Sequence, residues 1–261
     1  MSYVIKYYYT SHIGKCRKTN QDNLYCNGNY LSYDNCGTDG IIEGTLSPSS
    51  QAVFAVFDGM GGEECGEIAS YIAAKEASVT PLGEDGILDL SSFCKRANDK
   101  ICDYAESNSI SAMGTTAAIL LFSKDVITLC NIGDSKIFRY SDGEMEQISK
   151  DHVVVAAFGK KPPLSQNLGI PKELLVIEPY LSQGRYKNGD RYLICSDGLT
   201  DMVPPDEIAD VLENHPIEAA ASVLVDKALE NGGKDNVTII LLEVKQIKNK
   251  LLNLFNNKTE E

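Results

Sequence analysis

Thr115-Thr-Ala-Ala-Ile-Leu-Leu-Phe122, Val126-Ile-Thr-Leu-Cys-Asn-Ile132, Lys136-Ile-Phe-Arg-Tyr140 and Glu144-Met-Glu-Gln-Ile148 succeed one another with Lys124-Asp125 and Asp142-Gly143 as punctuation. Each reads as a short strand, and Asp-Gly between two such runs is a hairpin signal. Working outward, Tyr3–Tyr9 alternates as a strand does, and Ala52–Phe57 is a short apolar run rich in Val and Phe. Glu64–Ser78 and Leu90–Ser107 read as helices, with Ile68, Ile72 and Ala69, Ala73 at helical spacing. Beyond a polar, proline-containing stretch, Lys160–Pro171, strands are expected at Leu174–Leu181 and Arg191–Cys195. Helices follow at Pro205–Glu213 and Ile217–Asn231, then a last strand at Val237–Val244. This order fits an α+β fold with antiparallel sheets better than a regular βαβ alternation. Cys26–Ser50 reads as a long, turn-rich surface loop. Lys245–Glu261, with Leu251, Leu252, Leu254 and Phe255 among lysines, reads as a docked or fraying terminal helix.

The 261 residues suffice for one large domain with a sizeable core, and no repeat or low-complexity linker divides them. That domain is expected over residues 1–245, with a tail or short helix over 246–261. Lys+Arg 24 against Asp+Glu 37 leaves a formal charge of −13, which repels phosphate backbones and argues against a nucleic-acid partner. Acid in excess points instead to bound cations. No run approaches the roughly 18 apolar residues of a spanning helix, and Met1–Thr10 lacks the cationic flank and apolar segment of an export signal. The expected setting is the cytoplasm, without a membrane span. The eight cysteines form no C-x-x-C pair and read as reduced thiols packed as small hydrophobes, with Cys16, beside Arg17, the one open to oxidation.

Three apolar runs end in aspartate beside glycine: Ala52–Phe57 into Asp58-Gly59, Ile127–Ile132 into Gly133-Asp134, and Tyr192–Cys195 into Ser196-Asp197-Gly198. In reverse order, Gly232-Gly-Lys-Asp235-Asn236 leads into Val237. In an antiparallel sheet the end of one strand and the start of its neighbour share an edge, so four carboxylates are expected to converge there. Like charges that close raise one another's pKa and call for cations. Oxygen donors without His or Cys suit magnesium or manganese, and two ions bridged by one carboxylate can activate a water and clamp a phosphoryl oxygen. A single Asp-Gly after a strand is ordinarily a turn; four such sites argue for more.

Gly14-Lys-Cys-Arg17-Lys-Thr-Asn20-Gln21-Asp22, Asp58-Gly-Met-Gly-Gly62 with Gly66-Glu-Ile-Ala-Ser70, Gly114-Thr-Thr116, Asn131-Ile-Gly-Asp-Ser135, Asp151-His152, Cys195-Ser-Asp-Gly-Leu199 and Gly233-Lys-Asp-Asn236 resemble, in order, the motifs of the metal-dependent type 2C protein serine/threonine phosphatases, in their bacterial form. The resemblance covers residues 3–244 and implies a four-layer αββα fold, an antiparallel β-sandwich flanked by helices. It implies Asp58 as the carboxylate bridging two Mg2+ or Mn2+ ions, with the Gly59 carbonyl on one and Asp197 and Asp235 on the other. Asp22 would hold metal-bound water, and Asp134, with Asp197, would face a third, weaker ion. Arg17 would grip the substrate phosphate through its guanidinium fork. The implied reaction is in-line attack of metal-activated hydroxide on phosphoserine or phosphothreonine, without a phosphoenzyme. The implied partners are phosphorylated proteins and an opposed bacterial Ser/Thr kinase, and the chain is expected to be a monomer.

Two departures accompany the resemblance. Met60 stands where eukaryotic members have histidine, which would leave protonation of the leaving group to metal-bound water. Only Val153–Lys161 separates His152 from Pro162-Pro-Leu-Ser-Gln-Asn-Leu-Gly169, which resembles the end of the family's flap, so a shortened flap and a more open centre are expected. His12 and His215 read as surface or loop residues and His152 as a hydrogen-bonded structural one. Gly59-Met-Gly-Gly62 lacks the Lys-Ser/Thr of a P-loop. The alternative reading is a non-catalytic binding or sensing module on the same fold. A phosphatase dedicated to one regulatory protein of the anti-sigma-antagonist type would share the chemistry and differ in substrate.

Overall fold

Two strands of 11 residues, Ser2–His12 and Val237–Ile247, lie side by side from Ser2↔Ile247 to His12↔Val237 and tie the two ends of the described chain together. The structure, a computed structural model, describes residues 2–47, 51–60, 65–154 and 162–247. Its first half contains β1 (Ser2–His12), β2 (Asp22–Cys26), β3 (Asn29–Tyr30), β4 (Ile42–Leu46), β5 (Ala52–Met60), α1 (Gly66–Val79) and α2 (Gly86–Ser107). The hairpin region follows as β6 (Gly114–Thr115), β7 (Ala117–Ser123), β8 (Val126–Ile132), β9 (Lys136–Ser141) and β10 (Glu144–Gln147). Last come β11 (Tyr180–Arg185), β12 (Arg191–Cys195), α3 (Asp197–Thr200), α4 (Pro205–Asn214), α5 (Ile217–Glu230) and β13 (Val237–Ile247). One sheet has the order β10-β9-β12-β13-β1-β4 and the other β11-β8-β7-β5-β2-β3, with β6 on β5, all antiparallel.

Side-chain alternation turns these sheets into four layers. β5 sends Ala52, Phe54 and Val56 between the sheets and Val53, Ala55 and Phe57 outward, onto Ala73 of α1 and Phe93 and Ala97 of α2. In the other sheet Ile240 and Leu242 point inward, while Ile239 and Leu241 meet Ile208 of α4 and Leu224 of α5. The fold is α+β, with an antiparallel sandwich between helices. Strands buried on both faces read as unbroken apolar runs, which is why Ala52–Phe57 shows no alternation. The turns at Lys124-Asp125 and Asp142-Gly143 form hairpins, with Lys124, Asp142 and Gly143 at positive φ. No helix among the described residues is long and apolar enough to cross a membrane.

Three differences from the sequence reading have physical causes. Cys26–Ser50 is more than a loop: it supplies an edge strand to each sheet, β3 beside β2 and β4 beside β1. These strands are short and largely exposed, so they carry no apolar pattern to read. β2 has another reason, since it opens on two polar residues, Asp22 and Asn23, although all but Tyr25 of Asp22–Cys26 is buried. Leu174–Leu181 is not a strand along its length; Leu174 and Val176 are exposed, and pairing starts at Tyr180, opposite Asn131, and runs to Arg185. β13 continues past Val244 to Ile247, while residues 248–261 of the expected tail and residues 155–161, where a shortened flap is expected, lie outside the described residues. None of the eight cysteines is joined in a disulfide; Cys26, Cys94, Cys130 and Cys195 are buried, whereas Cys16 and Cys36 are exposed. Burial pushes the Cys195 thiol up to about 12.

α1 and α2 are also joined by charge. Glu76, only 2% exposed, accepts from Arg96 Nε at 2.6 Å and from Lys100 Nζ. Burial by itself would push this carboxyl up, but the hydrogen bonds and charges of Lys100 and Arg96 outweigh it and hold the group below its ordinary 4.5. A depressed folded-state pKa stabilises the fold above the unfolded value and is lost as pH falls through the lower, folded value. Urea unfolding of Glu76→Gln is expected to show a deficit of about 1.5 to 3 kcal/mol at neutral pH, the usual worth of hydrogen bonds to a charged group. The deficit should shrink below pH 4.5. A constant deficit down to acid pH would assign the loss to packing.

Candidate metal centre

β1 ends at His12 where β13 begins at Val237, so segments 13–21 and 231–236 are forced together. Gly14, at φ +83°, approaches so closely that a Cβ there would lie 2.2 Å from the Asp235 carbonyl oxygen. Lys15 N–H donates to the Gly233 carbonyl at 2.7 Å. Asn236, 4% exposed, stitches the two segments: its Oδ1 accepts from Gln21 N–H at 2.8 Å, and its Nδ2 donates to the carbonyls of Ile13 at 2.9 Å and Thr19 at 3.1 Å. Asn20, fully buried, donates to Ser11 Oγ and Asn35 Oδ1. The turn so formed carries Arg17, half-exposed, whose Nη2 donates to Asp235 Oδ2 at 2.6 Å. His12 is not a loose surface residue; it closes β1, and its Nδ1 accepts from Gly14 N–H at 2.8 Å.

The second sheet contributes Asp22 on β2 and Asp58 on β5, which are register partners. Threonines clamp the Asp58 backbone: Thr116 Oγ1 accepts from its N–H at 3.0 Å, while Thr116 N–H and Thr115 Oγ1 donate to its carbonyl at 2.9 and 3.0 Å. Thr116 Oγ1 also shares a 2.7 Å hydrogen bond with Ser135, the neighbour of Asp134. At Gly59 a Cβ would lie 2.2 Å from the Gly66 carbonyl oxygen and 2.3 Å from that of Gln21, so any side chain would pry α1 from β5. Asp197 opens α3, and behind it a Cβ at Gly198 would lie 1.9 Å from the Asn236 carbonyl oxygen. Ser196 bridges the sheets, with its Oγ donating to Asp22 Oδ2 at 2.8 Å and accepting from Thr238 N–H at 3.0 Å.

Asp22, Asp58, Asp134, Asp197 and Asp235 are thus brought within electrostatic reach of one another, with Arg17 beside them. They meet across the gap between two sheets, and not along the edge of one as the strand-end argument supposed. Burial, then the charges of Asp197, Asp22, Asp134 and Asp235, push the Asp58 carboxyl well above the carboxylate range. Asp22 is pushed up to about 7, chiefly by burial, against hydrogen bonds from Thr238 and Ser196 and with the charges of Asp197 and Asp235 adding to the rise. Among the described residues no three His, Cys, Asp or Glu side chains stand close enough together to clasp an ion as they are placed. The donor chemistry nevertheless fits magnesium or manganese. It consists of oxygens alone, and the repulsion that raises Asp58 is what a hard cation would relieve.

Gly61 and Gly62 of the glycine-rich motif lie outside the described residues. His152 is structural through its backbone, whose N–H donates to the Gly133 carbonyl at 2.9 Å; its buried Nδ1 has no hydrogen-bond partner among the described residues. His215 lies between α4 and α5 and offers its carbonyl to Arg191 at 3.1 Å. Asn20, Thr116, Ser135, Ser196 and Asn236 had no role in the sequence reading. All five stand inside the quoted motifs: Ser135, Ser196 and Asn236 each adjoin an aspartate, while Asn20 and Thr116 lie two residues from Asp22 and Gly114.

The profile of the family described as Protein phosphatase 2C matches residues 44–231. The chain belongs to the protein phosphatase 2C family. It is 30% identical over 255 residues to the serine/threonine protein phosphatase PstP of Mycobacterium tuberculosis, a match covering 92% of this chain and 45% of that protein, so it spans less than half of that relative. With the serine/threonine phosphatase stp of Listeria welshimeri it shares 28% identity over 233 residues, 82% of this chain and 91% of the relative. The crystal structure of the catalytic domain of PstP in complex with 2 manganese ions matches with a TM-score of 0.74 at 29% identity, over 94% of this chain and 100% of that one. A protein phosphatase 2C fold is therefore the frame on which these carboxylates are held.

Asn236→Ala would leave the Gln21 N–H and the Ile13 and Thr19 carbonyls without their partner. It is expected to lower the unfolding free energy by about 1 to 3 kcal/mol, the cost of a buried polar group left unpaired. Amide exchange at Gln21 should accelerate. Unchanged exchange there would mean that water replaces the amide and that segment 13–21 is held by other contacts.

Proposed function

We propose that this chain is a metal-dependent protein serine/threonine phosphatase that hydrolyses phosphoserine and phosphothreonine, with its catalytic domain over residues 1–245. The observation that carries the reading is the meeting of five aspartates from both sheets beside an arginine, in a chain of this family. Asp58, Gly59, Asp197 and Asp235 would hold two Mg2+ or Mn2+ ions, with Asp22 behind them and Asp134 facing a third. Those ions would supply the charge that activates a water and offsets the phosphoryl oxygens. The chain's own residues do the positioning. Thr115 and Thr116 fix the Asp58 backbone, Asn236 fixes the Arg17 turn against Asp235, and Ser196 orients Asp22. Arg17, whose fork already holds a carboxylate oxygen of Asp235, is suited to grip a phosphate. Met60 offers no proton to a leaving group. Five crowded carboxylates cost stability, which a non-catalytic module on the same fold has no need to bear. Eight cysteines without a disulfide suit a reducing, cytoplasmic setting, where the partners would be phosphorylated proteins and the Ser/Thr kinase that modifies them.

Asp58→Asn is expected to lower manganese-dependent hydrolysis of an aryl phosphate or a phosphothreonine peptide by roughly 100-fold or more, since several kcal/mol of charge stabilisation are lost. The same variant should melt higher than the parent in chelator, because the cost of burying an ionisable carboxyl among like charges is gone. Chelator-resistant hydrolysis by the parent would sink the reading.

Arg17→Ala should lower kcat/KM by about 1.5 to 3 kcal/mol, the worth of charge-assisted hydrogen bonds to phosphate. Manganese affinity, measured by calorimetry, should hold. Loss of metal affinity with substrate affinity intact would make Arg17 a structural partner of Asp235 alone.

A further inference from the structure

Segments 13–21 and 231–236, which the pairing of β1 with β13 forces together, carry Lys15, Arg17, Lys18 and Lys234 against a single acid, Asp235. This local surplus of positive charge stands in a chain of formal charge −13. Arg17 pairs with Asp235 at 2.6 Å, whereas Lys15, Lys18 and Lys234 are exposed and have no ion partner among the described residues. The seam also fixes where two of the lysines lie. Lys15 N–H donates to the Gly233 carbonyl, and a Cβ built at Gly233 would lie 3.1 Å from Lys15 Cγ, so the Lys15 stem runs along that glycine. A Cβ at Gly232 would lie 3.7 and 3.8 Å from Lys234 Cγ and Cε, which lays the second stem over the neighbouring glycine. Both stems cover main chain and leave their ammonium groups to water.

The ordinary role of such lysines would be to offset the aspartates behind them. Beside burial, however, the foremost charges acting on Asp58 and Asp22 are those of other aspartates, and it is the Arg17 guanidinium that is tied to the centre, through Asp235. The three ammonium groups are left to a molecule that arrives at the rim. A protein as acidic as this one repels an acidic partner from most of its surface, so a cationic seam beside the carboxylates gives such a partner one place to land.

We propose that Lys15, Lys18 and Lys234 select substrate segments in which acidic side chains flank the phosphorylated residue. The proposal rests on the phosphatase reading, with Arg17 on the phosphate. An extended peptide advances roughly 3.3 Å per residue, so carboxylates up to three residues from the phosphorylated one lie within about 10 Å of it along the chain. Lys15 and Lys18 are separated by no more than about 10 Å of chain, with Arg17 between them. Exposed ion pairs are individually weak and screened by salt, so the selection is collective and falls with ionic strength.

Manganese-dependent hydrolysis by the full chain of two phosphothreonine peptides that differ only in their flanks, glutamates or lysines, tests this. At low salt the glutamate peptide is expected to show a kcat/KM about tenfold higher, and salt at about 0.5 M should compress that ratio. Combining Lys15→Ala, Lys18→Ala and Lys234→Ala should lower the ratio about fivefold, while the three Lys→Arg changes should keep it. Because the ratio is taken within one variant, a general loss of turnover cancels. Equal kcat/KM for the two peptides in the parent would overturn the proposal. So would a ratio unmoved in the triple alanine variant; if that variant also melts differently in chelator, the lysines are counter-ions of the aspartates. Should neither the peptides nor an aryl phosphate be hydrolysed, it is the phosphatase reading that fails. Fluorescence anisotropy of the same peptides, labelled, then reads the selection by itself: tighter binding of the glutamate peptide, lost in the triple alanine variant, upholds it, and equal binding overturns it.

Discussion

The pairing of β1 with β13 is the constraint from which the rest of the structure follows. Eleven residues from one end of the described chain lie against 11 from the other, and both strands are central in their sheet. A slip of one residue would turn every inward side chain outward, so burial on both faces fixes the register. That register ends at His12↔Val237. From there the chain has no freedom over where segments 13–21 and 231–236 go, and the close approach of Gly14 to Asp235 is the result.

The same rim collects the carboxylates, and among the described residues Arg17 and several hydroxyl and amide donors oppose their repulsion. What holds them is the layering behind them. Phe54, Leu120, Tyr192 and Ile240 pack between the sheets, and a helical layer covers each outer face, so the strand ends are supported from several sides. Small residues set the spacing at the rim. Gly59 and Gly198 allow backbone-to-backbone contact that any Cβ would break, and the polar clamps of Thr115, Thr116, Ser196 and Asn236 act on main chain held that closely. Charged residues at one end and apolar packing at the other thus divide the work at this rim, with rigidity supplied from a distance.

The flanks of the sandwich differ from its centre. β3, β4 and β10 are short and exposed, which limits their pairing with other chains. β11 is longer, but only its first three residues are partly buried, and Gln183–Arg185 stand exposed at the edge of the sandwich.

Much of this architecture was legible in the amino-acid order. Strands buried on both faces announce themselves as unbroken apolar runs, hairpins by Asp-Gly, and Asp58, Asp134, Asp197 and Asp235 by their repeated place at strand ends, so the fold class and those four aspartates could be read directly, whereas Asp22 entered through the family resemblance. β2, β3 and β4 could not, because their pairing rests on main-chain hydrogen bonds and edge position, which leave no apolar period. Nor could the strand at Tyr180–Arg185, since its exposed neighbours Leu174–Val176 are more apolar than the strand itself. What the sequence by itself determined was the donor chemistry on offer: clustered carboxylate oxygens and the glycines that admit close approach, with Arg17 marked by the family resemblance. Only the tertiary structure decided that Asp22 and Asp58 come from one sheet and Asp197 and Asp235 from the other. It also decided that Arg17 meets Asp235, because both depend on a strand register set by side chains far away along the chain.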